Sequence, residues 1–146
     1  MIEALQLIAT LSATLFAGAA LYINVAEHPS RMTLETRMAA LQWAPSYARA
    51  TLLQAPLALL SLVSGTGAWL LGAHWAWFVA ALLIGLVVPF TFVVVMPTNR
   101  QLLDPGRDLA SADTRPLLEK WNKLHAVRTA LSLAASITYL WLLHQV

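Results

Sequence analysis

The chain has 146 residues, of which 59% are hydrophobic and only 11% charged, with a formal net charge of +2 and no cysteine. Soluble domains carry about 25% charged residues, so this composition and a mean hydropathy of +0.66 predict an integral membrane protein, residues 1–146 forming one domain. Disulfides, thiolate nucleophiles, iron–sulfur clusters and Cys-based zinc sites are excluded, and the isoelectric point of about 9.4 comes without the basic stripe and interleaved aromatics that would make nucleic acid a partner.

Taken in chain order, four apolar runs reach the ~20 residues needed to cross ~30 Å of hydrocarbon. The fold class they predict is all-α, a four-helix transmembrane bundle. The first run covers residues 4–26. Its leading Met1-Ile2-Glu3 lacks Lys and Arg and the run is too long for a signal-peptide core, so it reads as a retained helix. Next, Leu34, Met38 and Leu41 recur at helical spacing with Glu35, Arg37 and Gln42 turned elsewhere, which predicts a short interfacial helix ending near Pro45. The second and third spans, 51–73 and 75–97, are separated only by Gly72-Ala73-His74-Trp75 and form a tight helical hairpin. Pro56 and Pro89 lie midspan, where either can kink a helix. Ser61, Thr66 and Thr91 are expected to bond carbonyls of their own helices. Ala13, Ala17, Ser61 and Gly65 stand at four-residue spacing and allow close helix approach, through core packing or through a homo-oligomer contact. The second connection holds a Pro105-Gly106 turn, then Asp113 or Thr114 as a helix cap with Pro116 in the first turn. Nothing breaks the pattern from Pro116 to Leu143, so one long helix starts in the interface and becomes the fourth span, 124–143. Both connections thus carry short interfacial helical segments.

All nine Lys and Arg residues (Arg31, Arg37, Arg49, Arg100, Arg107, Arg115, Lys120, Lys123 and Arg128) fall in the two longer connections or the first turn of the fourth span. The positive-inside rule then places those connections in the cytoplasm and both termini outside or in the periplasm, in a membrane of the bacterial inner type. Trp75, Trp77, Tyr139 and Trp141 are expected at the outer interface, where His74 and His144 also lie.

The chemistry-bearing residues gather at the opposite boundary. Asn24, Glu27, His28 and Arg31 stand at i, i+3, i+4 and i+7, one face of a helix. Trp121, His125 and Arg128 repeat that pattern entering the fourth span, and Asn99 follows the third. The first and third spans run toward this boundary and the fourth away from it, so all three segments share one depth. Lipid is an expensive neighbour for such groups, so they should turn inward and line a pocket, with Tyr22 and Trp121 as walls. The plain alternative is structural: Arg31 and Arg128 snorkel to headgroups, and Glu27 pairs with one of them. His28 and His125 titrate near neutrality and suit proton transfer or metal binding. Glu27, His28 and His125 make a two-His, one-carboxylate set suited to non-haem iron or copper. Glu27 and His28, however, diverge by about 100° in a regular helix and could both ligate only if the chain unwound at Pro29. No H-E-x-x-H pair and no haem attachment motif is present. The sequence leaves the cofactor open, with none or a non-haem metal, iron or copper, as the readings it allows.

Three elements carry a family resemblance: N-x-x-E-H-P-x-R from Asn24 to Arg31, P-x-N-R-x-L from Pro97 to Leu102, and W-x-x-x-H-x-x-R from Trp121 to Arg128. In this order, among four spans, they resemble the DUF1772 family, also called the anthrone oxygenase-like family, over essentially the whole chain. The resemblance implies a small integral membrane protein, with fungal relatives that oxidise anthrones to anthraquinones. Its matching positions are Asn24, Glu27, His28, Arg31, Asn99, Arg100, Trp121, His125 and Arg128. The expectation is a membrane oxidoreductase or oxygenase acting on a lipophilic anthrone-, phenol- or quinone-like molecule. In it His28, His125 and Glu27 are catalytic, and Asn24, Arg31, Asn99, Trp121 and Arg128 bind substrate. The alternative from another class is a non-enzymatic membrane protein that binds a lipid or other ligand or serves in an assembly. Partners are membrane lipid and a lipophilic small molecule. A transporter is disfavoured, because the polar groups sit at one boundary rather than at the midplane.

Overall fold

The computed structural model describes residues 1–145. Four helices are long and apolar enough to cross a membrane: α1, Ile2–Arg31; α2, Thr36–Leu70; α3, Ala76–Leu102; and α4, Thr114–His144. No strand occurs among the described residues. Each helix packs against its neighbour in sequence, and α1 closes the ring against α4. The interior holds small and polar residues such as Ala9, Ala13, Ser12, Ser61, Ser64, Ser132 and Ser136, while Leu11, Leu52, Val63, Phe92, Val93 and Ile137 face out. Association between helices in hydrocarbon comes from close contact and polar bonds rather than from burying large apolar groups, and this is the architecture of an integral membrane protein.

Three apolar layers fill the bundle. At the hairpin end Ala9, Ala13, Trp77 and Tyr139 pack together; in the middle Phe16, Ala58, Ile84 and Ala135; at the far end Ile23, Trp43, Val95, Leu118 and Trp121. Trp77 and Tyr139 therefore lie inside the bundle, stacked with ring centroids 5.1 Å apart. Of the four rings expected at the outer interface, Trp75 and Trp141 are the exposed pair. The hairpin turns at Gly72, whose φ of +105° lies where residues with a Cβ are rarely found. Ser61 departs from the local bond expected of it: it donates to the carbonyl of Ala9 on α1 at 2.9 Å, because the small residues there bring the two backbones into reach. Thr91 bonds Val87 of its own helix as expected.

The first connection differs from its expected form. The interfacial helix does not stop near Pro45 but continues into the second span as α2. Pro45 and the neighbouring turn at Leu41 are exposed, so water can take the carbonyl bond that proline cannot supply. The fourth helix begins at Thr114 with Pro116 in its first turn, but Asp113 does not cap it with its side chain. That carboxylate accepts from Ser111 Oγ at 2.5 Å and pairs with Arg107 at 2.7 Å, and these two partners, the Ser111 bond foremost, hold it below the usual carboxylate range. Arg115 ties the connections together, its fork donating to the carbonyls of Met32 at 3.0 Å and Leu34 at 2.7 Å. Arg115→Met is expected to speed amide hydrogen exchange at Thr33 and Leu34 while lowering bundle stability by no more than about 1 kcal/mol, since both carbonyls can turn to water. Hydrogen exchange in detergent checks this.

Two wide turns position the site. α1 passes through a π-helical stretch at Ile23–Glu27, where the His28 N–H reaches back five residues to Ile23. α3 does the same at Thr91–Val95, with Met96 N–H bonding Thr91. Each stretch ends two residues before a proline, Pro29 or Pro97. A proline ring crowds the carbonyl four residues earlier and offers it no N–H. Widening the preceding turn relieves the crowding without ending the helix, and such bulges frequently mark functional sites.

Candidate functional site

The wide turn in α1 divides the face that regular spacing would have kept together. Asn24 turns to α4. Its Nδ2 donates to the Asn122 carbonyl at 3.0 Å and to Asn122 Oδ1 at 2.7 Å. Its Oδ1 takes the Thr129 hydroxyl at 2.5 Å and lies 3.0 Å from His125 Nδ1. Glu27 and Arg31 turn instead to α2. Arg31 pairs with Glu27 and donates to Gln42, Ser46 bonds Glu27, and Arg31 Nη2 lies 3.2 Å from Ser46 Oγ. Arg31 Nη1 lies 3.3 Å from His28 Nδ1. All three guanidinium nitrogens thus have protein partners, and Glu27 pairs with Arg31, not with Arg128.

His28 and His125, 3% and 1% exposed, both rest against the Trp121 indole, with ring centroids at 5.9 and 4.9 Å and tilts of 32°. Trp121 meets Trp43 edge to face at 5.7 Å, and Trp43 stacks on Tyr47 at 5.2 Å. α1 and α4 bring both imidazoles onto Trp121 at one depth, and none of these three rings lines the cavity described next. Tyr22 is not a wall: it is 61% exposed, because residues two apart on a helix point to opposite sides.

Arg128 carries the next layer down. Its guanidinium lies 5.6 Å over the Phe16 ring and donates to Gln54 Oε1 at 2.8 Å. It also lines an apolar cavity of about 200 Å³ between α2 and α3, with Phe16, Tyr47, Ala58, Val87, Thr91 and Met96. The exposed residues Thr51, Ala55 and Phe92 form its mouth on the outer face of the bundle. Asn99 sits on α3 between Val95 and Leu102, which pack in the cluster of Trp43 and Trp121. It is fully buried and neither amide atom has a partner. Trp43 Nε1, Trp121 Nε1, Gln54 Nε2 and Arg128 Nε are likewise buried without partners. With the Asn99 amide, the fully buried side-chain atoms without partners at this end, among the described residues, are five donors and one acceptor. Buried polar groups normally find partners, so the imbalance suits a guest bearing acceptor oxygens.

The metal set Glu27, His28 and His125 does not assemble. Among the described residues no three His, Asp, Glu or Cys groups stand close enough to hold an ion. Glu27 is held by Arg31 and Ser46, and His28 faces the Arg31 cation. The α1 helix does not unwind at Pro29, which was the condition for both neighbours to ligate. Sequence reasoning missed Gln54, Ser46, Trp43, Tyr47 and Thr129. The legible signal was Gln54, an amide inside an apolar span, which is costly unless it has a partner there. Trp43 and Tyr47, four residues apart, were the other.

Comparison with known proteins gives a consistent answer. The family described as anthrone oxygenase matches residues 43–138. The anthrone oxygenase ptaC of Pestalotiopsis fici is 32% identical over 112 residues, covering 66% of this chain and 78% of that protein. The anthrone oxygenase tpcL of Aspergillus fumigatus is 39% identical over 62 residues, covering 40% of this chain and 38% of that protein. No solved structure matches the chain.

Proposed function

The chain belongs to the anthrone oxygenase family, and on that premise we propose that it is a membrane oxygenase acting on a lipophilic anthrone-, phenol- or quinone-like substrate. The observation that carries this reading is the apolar cavity that opens on the outer face of the bundle and has the Arg128 guanidinium in its wall. A flat apolar molecule partitions into the bilayer, enters between α2 and α3, and places an oxygen against that cation.

The chemistry follows from these groups. The anthrone methylene is acidified by its ketone and flanking rings. An imidazole, His125 or His28, removes one proton as general base. The electron pair moves onto the ketone oxygen, and the resulting enolate is stabilised by Arg128 and the unpaired donors of Gln54 and Asn99. The carbanion carbon then transfers electrons to dioxygen and bonds to it, giving a hydroperoxide after the imidazolium returns its proton. Loss of the second methylene hydrogen with cleavage of the O–O bond leaves a ketone and one water. Carbon loses four electrons in all, dioxygen gains four, and one oxygen atom enters each product. Arg31 serves as a positioning group here, since its nitrogens already hold Glu27, Gln42, Ser46 and His28. The confinement of every Lys and Arg to one end supports an orientation with the two longer connections in the cytoplasm.

The test is oxygen uptake by detergent-purified protein supplied with an anthrone. The expected result is one dioxygen consumed per anthraquinone formed, well above the spontaneous rate. Ala55→Trp, at the cavity mouth, should raise KM for the anthrone. Tight anthrone binding with no uptake above background would replace the oxygenase with a ligand-binding protein.

A further inference from the structure

We infer that the two buried imidazoles are locked in opposite tautomers, so that His125 presents a lone pair at Nε2 while His28 presents an N–H there. In the oxygenase reading, on which this division of labour rests, His125 is the base and His28 the hydrogen-bond donor.

A backbone carbonyl can only accept. The Asn122 carbonyl lies 3.0 Å from the Asn24 side chain, so the Asn24 amide nitrogen must face it. The Asn24 oxygen is thereby directed to the other side, where it meets the Thr129 hydroxyl and His125 Nδ1. An amide oxygen also only accepts, so the hydrogen must sit on His125 Nδ1. In a neutral ring that leaves the lone pair on Nε2, which has no hydrogen-bond partner among the described residues. His28 obeys the opposite constraint. Guanidinium has five N–H donors and no acceptor. His28 Nδ1 lies 3.3 Å from Arg31 Nη1, so it must accept, and the ring hydrogen sits on Nε2. Arg31 is held in place by Glu27 and Gln42, so His28 cannot recruit a different partner by a simple swing of that side chain.

Both rings rest against Trp121, so one site contains one imidazole ready to take a proton and another ready to give a hydrogen bond. Carbon-acid oxidation requires both functions: a base for the methylene, and a donor for the oxygen that becomes anionic. Asn24 and Arg31 are then positioning residues. They act through the histidines and need not touch substrate.

The test reads the tautomers directly. Protein with ¹⁵N-labelled histidine rings, in a His74→Gln/His144→Gln background that leaves only the two buried rings, is examined in detergent by long-range ¹H–¹⁵N correlation. Single substitution of either ring assigns the signals. The expected spectrum has a protonated Nδ1 and a bare Nε2 for His125, and the reverse for His28. Asn24→Leu should release His125 from its tautomer and lower anthrone turnover about 10²-fold. Asn122→Ala should leave the spectrum unchanged, because the backbone carbonyl remains. Two rings in the same tautomer, a cationic ring, or a His125 pattern indifferent to Asn24→Leu would overturn the inference. Opposite tautomers in a protein that never consumes dioxygen would sink the oxygenase reading and leave this one standing. Turnover with like tautomers would do the reverse.

Discussion

His125→Ala should reduce anthrone-dependent oxygen uptake by roughly 10²- to 10⁴-fold, the range a positioned acid–base group contributes, while the bundle still folds. The two halves of that expectation have separate causes. Loss of the imidazole removes the Nε2 lone pair that the bond from Nδ1 to Asn24 leaves free on a ring packed against Trp121. The fold survives because position 125 lies in the interior of a 31-residue helix whose packing runs on through Ser132, Ala135 and Tyr139. The substitution leaves a hole beside Trp121 and removes one of the two donors to Asn24 Oδ1, which should lower stability by about 2 kcal/mol. Oxygen uptake and thermal unfolding measured on one preparation separate the effects. As the control, Lys123→Ala alters an exposed side chain on the same helix and should change neither. Unchanged uptake in His125→Ala would remove the residue from the chemistry and shift the base to His28.

What could be foreseen of this arrangement depended on which features are periodic. The length of each apolar run fixed four spans, and chain direction alone brought Asn24 and His125 to the same depth, where they meet at 3.0 Å. The partition of the α1 polar face could not be read the same way. Spacing of three and four residues implies a shared face only in a regular helix. Pro29 neither ends nor unwinds the helix but follows a widened turn, which the spacing does not encode. Asn24 consequently bonds α4 while Glu27 and Arg31 bond α2. The same oversight applied to Pro97 and the Thr91–Val95 turn. Pro45 erred in the other direction, since an exposed position tolerates the missing bond. Partners such as Gln54 and Ser46 belong to tertiary packing, which no single-chain periodicity encodes.

Gly65→Ala should be among the most destabilising single substitutions in the membrane-spanning core, by about 1–3 kcal/mol, the usual cost of overpacking. A Cβ at this position would lie 2.1 Å from the Tyr139 hydroxyl oxygen and 3.0 Å from Ala81 Cβ. A clash with the tip of a side chain is mild when that side chain can move away, and here it cannot. Tyr139 has no exposed surface, its ring is stacked on Trp77 at 5.1 Å, and its hydroxyl lies 3.5 Å from the Ser61 carbonyl one turn before Gly65. This is how the four-residue spacing of Ser61 and Gly65 is used: Ser61 bonds α1 while Gly65 admits the Tyr139 hydroxyl from α4. The cause can be isolated by combination. Tyr139→Phe removes only the clashing oxygen, and at 3.5 Å the bond it forfeits is weak. The pair Gly65→Ala/Tyr139→Phe should therefore recover most of the stability lost in Gly65→Ala alone, and residues in direct contact are where such non-additivity is expected. Thermal unfolding of the four proteins in one detergent measures the coupling. Strictly additive losses would show that the added methyl is resisted by the backbone or by Ala81, not by the phenol.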